Sequence, residues 1–184
     1  MIIILTIERR MYLAEATKQS LLDNGVLEED IVIMYGYDKE NYPSDIVVKR
    51  PYHLVGKAFL ERVLPFAIEN NSSILYTECG TLFKSNPLEL LIVKDKINWL
   101  GYIRNTKHYI IGAKLIYFPL NIIKDIVAKP LRLAHVDRMI RNYGLKNDCL
   151  EVADKSHITQ MDYPSDWGTE NQLKKKKILK KTIK

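Results

Sequence analysis

Apolar positions along this chain fall into short continuous runs separated by stretches of helical spacing. Ile2-Ile3-Ile4-Leu5-Thr6 opens the chain as an apolar run, the form taken by a strand buried on both faces of a parallel sheet. Residues 10 to 24 predict a helix, with Ala14, Thr17 and Leu21 on one stripe and Gly25 as its stop. Ile31-Val32-Ile33-Met34 is a second buried strand, ending in the loop Tyr35-Gly36-Tyr37-Asp38. Ile46-Val47-Val48 reads as a short third strand or extended piece. Over residues 54 to 69, Val55, Phe59, Val63 and Phe66 recur at helical spacing, and Pro65 is expected to kink that helix. Asn70-Asn71-Ser72-Ser73 is a turn, residues 73–77 are a strand halted by Glu78-Cys79-Gly80, and Asn86-Pro87 opens another helix with Asn as its cap. Strands at 98–103 and 109–118, helices at 120–128 and 134–143, a stop at Gly144 and a strand near 149–152 complete the pattern.

Strand and helix alternate through the first half, which predicts an α/β fold with a mostly parallel central sheet and helices on both faces. In such sheets, ligands sit outside the carboxyl ends of the strands. That rule singles out three loops, at residues 6–10, 35–38 and 77–81.

Composition narrows the class. A chain of 184 residues, 47% hydrophobic, suits one domain with a full core, here assigned to residues 1–170. The net charge is +6, but seven lysines lie within residues 174–184, so the rest of the chain is within one charge of neutrality. A near-neutral body argues against a nucleic-acid groove. The lysine-rich tail, residues 171–184, reads as a solvated end or as a weak contact for an anionic membrane or nucleic acid. The opening apolar run is too short for a signal-peptide core and is followed, not preceded, by Arg9-Arg10. No segment approaches the roughly 18 apolar residues of a membrane span. Cys79 and Cys149 have neither framework nor metal spacing and read as reduced thiols. The expectation is a cytoplasmic protein, any membrane role being peripheral.

Dinucleotide-binding, P-loop, zincin and nucleophile-elbow motifs are absent from the sequence. Four segments carry candidate chemistry. Thr6-Ile7-Glu8-Arg9-Arg10 places arginines beside a helix start, where guanidinium and backbone N–H groups hold phosphate. Glu78 falls where a hydrophobic strand ends, suited to a metal or to sugar hydroxyls. His135-Val136-Asp137 offers a base or an acceptor clamp, although on one helix two residues at that spacing do not share a face. The polar, aromatic segment His157 to Trp167 follows the last element and can fold over a ligand, with His157 as a late metal or phosphate ligand.

In order along the chain, these segments resemble the family 25 glycosyltransferases of lipopolysaccharide biosynthesis. Ile4-Leu5-Thr6-Ile7-Glu8-Arg9-Arg10 is similar to that family's first strand and acid-arginine segment. Tyr52-His53-Leu54-Val55-Gly56-Lys57-Ala58 resembles the helix start before its acidic motif, and residues 74–83 its Leu-Glu-Asp-Asp strand. Gly112 to Phe118, then Pro130 and His135-Val136-Asp137, are similar to its glycine-strand-helix and Val-Asp run. Thr159-Gln160 with Ser165 resembles its closing segment. Where the family has Glu-Asp-Asp, this chain has Glu78-Cys79-Gly80, so only the first acid remains.

The resemblance implies a GT-A-like three-layer sandwich. It implies transfer of a sugar from a nucleotide-sugar donor, a UDP-sugar favoured, to a hydroxyl acceptor with inversion. The donor-binding residues would be Thr6, Glu8, Arg9, Arg10, Asp38, Glu78 and Gln160, with Asp137 as the base and His135 beside it. A Mn2+ or Mg2+ ion would fall to Glu78 and His157, a site weakened by the loss of two acids. Two other classes compete: a catalytically degenerate nucleotide-sugar or glycan-binding module, and a nucleic-acid-directed protein acting through its tail.

Overall fold

The computed structural model describes residues 1–37, 53–90, 92–100, 115–129, 131–152 and 158–160. Strand β1 (Ile2–Thr6) leads through a 3-10 turn at Glu8–Arg10 into helix α1 (Met11–Asp23), which ends at Gly25 with φ +81°. Strand β2 (Ile31–Tyr35) follows. Helix α2 (His53–Ala58) passes through a π-helical turn (Phe59–Val63) into α3 (Leu64–Glu69). Then come β3 (Ile74–Glu78), β4 (Thr81–Phe83), β5 (Ile97–Trp99), β6 (Ile116–Phe118), helices α4 (Leu120–Ala128) and α5 (Val136–Lys146), β7 (Leu150–Val152) and β8 (Ile158–Gln160).

Six strands form one sheet in the order β2-β1-β3-β6-β5-β7. β1 pairs parallel with β2 and β3, and β5 with β7, while β6 runs antiparallel to β3 and β5. The expected α/β fold with a mostly parallel sheet is thus present. β1 lies in its interior with all five residues buried. Side chains alternate across a strand, so Ile3 and Leu5 join Phe59, Val63, Ile123 and Ile140 under α2 to α5. Ile2 and Ile4 join Leu13, Ala14 and Leu21 under α1, with Phe83 and Ile158 from the small antiparallel pair β4–β8. The result is three layers with helices on both sides.

Three local expectations change. In a continued α-helix the ring of Pro65 would strike the carbonyl four residues back and leave it without a donor. The chain instead widens before it: the Leu64 N–H bonds to the Phe59 carbonyl, five residues back. Asn86-Pro87 opens only a 3-10 turn, Pro87–Glu89, capped by the Asn86 side chain accepting from Leu88 N–H at 3.0 Å. Gly144 does not stop α5; a Cβ there would lie 2.7 Å from Leu150 Cβ, so its glycine lets β7 pack close.

The strand at 46–48 and the tail lie outside the described residues, as do residues 101–103 and 109–114 of the strands expected at 98–103 and 109–118. Cys79 and Cys149 form no disulfide. No helix among the described residues is long and apolar enough to cross a membrane.

Candidate active site

The carboxyl ends of β1, β2 and β3 reach one level. Thr6 lies opposite Tyr35, and Leu5 opposite Glu78. Pairing continues past the strand ends: Gly36 N–H donates to Thr6 O at 2.6 Å and Cys79 N–H to Leu5 O at 3.1 Å. The loops after the three strands, singled out by the carboxyl-end rule, therefore start from a common rim. Asp38 lies outside the described residues.

Two glycines let α2 close this rim. A Cβ on Gly36 would sit 3.3 Å from both Ala58 Cβ and Thr6 O. One on Gly56 would stand 1.8 Å from the Ala134 carbonyl oxygen, an impossible contact. Glycine at 56 is thus the condition for the 131–135 segment to cross α2 and deliver His135.

His135 and Asp137 come together, contrary to the helical-face expectation. His135 is not helical; it is the residue before α5, extended at φ −64° and ψ 146°. Its ring is thereby free of the helix geometry that separates positions two apart. His135 Nδ1 lies 2.6 Å from Asp137 Oδ1, which also accepts the Arg138 N–H at 2.7 Å. An ionised carboxylate only accepts, so it fixes the ring proton on Nδ1 and makes Nε2 the basic nitrogen of the neutral ring. Nε2 stands 3.9 Å from Glu78 Oε1, beyond hydrogen-bonding reach. The Glu78, Asp137 and His135 side chains are 13%, 21% and 29% exposed. Two segments distant in sequence thus meet: a strand-end acid and an Asp–His pair.

The loop after β3 is locked from behind. Gly80 has φ +85°, and its N–H donates to Thr17 Oγ1 at 2.9 Å. That hydroxyl in turn donates to Leu13 O at 2.9 Å. Thr81 Oγ1 donates to the Glu78 carbonyl at 2.8 Å. Cys79 is buried in the cluster under α1. Thr17 was visible in the sequence only as a polar residue on an apolar stripe, and that is the signal that marks it.

Residues 6–10 divide by exposure. Thr6 is buried, and its hydroxyl donates to Ile7 O at 3.3 Å; Glu8 is exposed. Arg10 is 9% exposed. Arg9 is half-buried, with Nε and Nη2 shielded from solvent. Burial pushes the Tyr12 phenol above its ordinary pKa; the Arg10 charge opposes that shift and Cys79 adds to it.

An outer wall stands after β2. Tyr37 Oη donates to Glu61 Oε2 at 2.8 Å, and the Arg62 guanidinium lies 4.3 Å from the Tyr37 ring centroid while donating to Tyr35 O at 2.6 Å. Lys57 bonds Glu61 at 2.6 Å. Gln160 enters by its backbone, opposite Thr81 in the β4–β8 pair. His157 lies outside the described residues. Among the described residues, no group of three or more His, Cys, Asp or Glu side chains is placed to hold a metal ion.

No protein-family model matches the chain, and no curated protein matches it. It is similar to a solved structure described as the "crystal structure of a glycosyltransferase involved in the glycosylation of the major capsid of PBCV-1". The TM-score is 0.54 and the identity 12%, over 83% of this chain and 80% of that one. At that identity the likeness is one of fold: the α/β arrangement around a mostly parallel six-stranded sheet is shared with a glycosyltransferase.

Proposed function

We propose that this chain is a glycosyltransferase of GT-A type, akin to family 25, moving a sugar from a nucleotide-sugar donor, a UDP-sugar favoured, to a hydroxyl acceptor. One observation carries the reading: on a glycosyltransferase-like fold, the His135–Asp137 pair faces Glu78 at the carboxyl rim of the sheet. The donor would lie across the ends of β1, β2 and β3, near Arg9, Arg10 and Glu78. Transfer is a single displacement with inversion. The acceptor oxygen bonds to the anomeric carbon as the bond from that carbon to the diphosphate oxygen breaks. The electron pair leaves with the diphosphate, and the acceptor proton passes to His135 Nε2. Asp137, already engaged with His135 and the Arg138 N–H, orients the ring rather than taking the proton itself. The lysines of residues 174–184 would favour acceptors on anionic surfaces.

Donor titration and single-turnover transfer, measured separately, test this. His135→Asn and Asp137→Asn should each lower transfer by about 10²- to 10⁴-fold while sparing nucleotide binding. Glu78→Ala should harm transfer more than fold. Wild-type transfer by His135→Asn would remove that residue from the base role. Should the unmutated chain turn over no donor, the second reading takes its place: a binding module that has lost chemistry. The conversion of the acidic motif into a structural turn at Cys79 and Gly80 favours that alternative.

A further inference from the structure

A nucleotide sugar's diphosphate gains negative charge as it leaves, and something positive must be waiting for it. In the resemblance described above, three consecutive acids would recruit a metal for that purpose. Here the second and third positions are committed elsewhere. Cys79 is 5% exposed, donates its N–H to Leu5 O at 3.1 Å, and packs among Ile4, Leu13 and Leu75. A carboxylate in that setting would be a buried charge in an apolar cluster. Gly80 sits at φ +85°, where a side chain is strained, and its N–H is held by Thr17. Neither position can offer an acid to the cleft without rebuilding the turn, and the described residues bring no third metal-capable side chain to Glu78. The described rim does not fit a divalent cation.

Fixed positive charge is present instead. Arg9 and Arg10 lie in the 3-10 turn Glu8–Arg10 shortly after β1, which pairs with the strand bearing Glu78. Arg10 is buried, and its N–H donates to Ile7 O at 2.8 Å, which fixes the turn just past the end of β1. The shielded Nε and Nη2 of Arg9 place its head group away from bulk water, where charge is less screened. A guanidinium stays charged at any working pH and grips phosphate oxygens through two parallel N–H groups. We infer that the donor diphosphate is bound and neutralised by Arg9 and Arg10, without a bridging divalent cation. This rests on the donor-site reading above.

The test is calorimetric titration of the full chain with UDP, GDP, CMP and dTDP, in EDTA and then in manganese chloride. The best nucleotide should bind in EDTA within about threefold of its affinity in manganese. Arg9→Gln should weaken binding in EDTA by about tenfold or more. Because Arg10 is buried, Arg10→Lys is used beside Arg10→Gln, with melting temperature as the check on folding; Arg10→Lys should also lose affinity, since an ammonium lacks the two-pronged grip. Binding that strengthens tenfold or more with manganese overturns the inference and leaves the donor reading standing. Unchanged affinity in Arg9→Gln and Arg10→Lys overturns it as well. If no nucleotide binds under either condition, the donor-site reading falls and takes this inference with it.

Discussion

The two faces of the central sheet are held by different means. Under α2 to α5, Trp99, Tyr76, Phe59 and Phe118 are fully buried, and Phe59 packs edge-on to Tyr76 with ring centroids 5.1 Å apart. Under α1 the apolar cluster has smaller members, and polar bonds tie it down. Phe83 N–H donates to Ser20 Oγ at 2.8 Å, Asn24 Nδ2 to Phe83 O at 3.2 Å, and Gly80 N–H to Thr17. The first face contributes area, which is large and tolerant of direction. The second contributes direction, which positions the turn that follows Glu78. Stability should therefore concentrate on one side and site geometry on the other.

The largest expected effect tests the first half of that contrast. Phe59→Ala should cost about 3–5 kcal/mol in urea unfolding, as an aromatic lost from a closed core. At temperatures where the variant remains folded, nucleotide binding should persist; a loss in proportion to stability would show that the faces are not separable.

A matched pair of glycines sharpens the comparison. Gly56→Ala and Gly144→Ala should each cost about 1–3 kcal/mol through overpacking, because the added Cβ meets Ala134 O at 1.8 Å or Leu150 Cβ at 2.7 Å. Only Gly56→Ala displaces the segment carrying His135, so it alone should abolish transfer. Equal activity losses would show that Gly56 serves packing and nothing more.

Thr17→Val keeps the shape but removes the hydroxyl that accepts from Gly80. The stability loss should be about 1 kcal/mol, moderated by the second bond from Gly80 N–H to Leu13 O at 3.3 Å. Transfer should fall by more than stability does, since the turn at Glu78 loosens. A variant with unaltered transfer would break the link between this face and the site.

The smallest effect lies at the outer edge of the first face, where α4 meets α5. Lys129 and then Tyr143 hold the Asp125 carboxyl below its ordinary range by hydrogen bonds to its ionised form. That stabilisation is present above the unfolded value of about 3.9 and is lost as pH falls through and below it. The melting temperature of the parent should therefore drop more steeply than that of Asp125→Asn between neutral pH and about pH 3. The difference should be slight, because exposed pairs are screened. Parallel curves would show that Asp125 is indifferent.

Much of the architecture was legible in the sequence for a simple reason. A strand buried on both faces needs a continuous apolar run, and Ile2 to Leu5 can satisfy that nowhere but inside a sheet. The alternation of such runs with helical spacing leads to layers, and the carboxyl-end rule leads to the rim where Glu78 stands. Periodicity records how much each residue is buried and says nothing of what it is buried against. For that reason the β4–β8 pairing and the π-turn before Pro65 were invisible to it, as was the service of Gly144 to packing rather than termination. The meeting of His135 with Glu78 depends on a crossing permitted by one missing Cβ at Gly56. The side-by-side placement of His135 and Asp137 depends on His135 staying extended, one residue ahead of α5. Burial is a local property repeated along the chain, so the sequence carries it in its pattern. Contact between distant segments is set by strand register and by a few close approaches, and only the tertiary structure decides those.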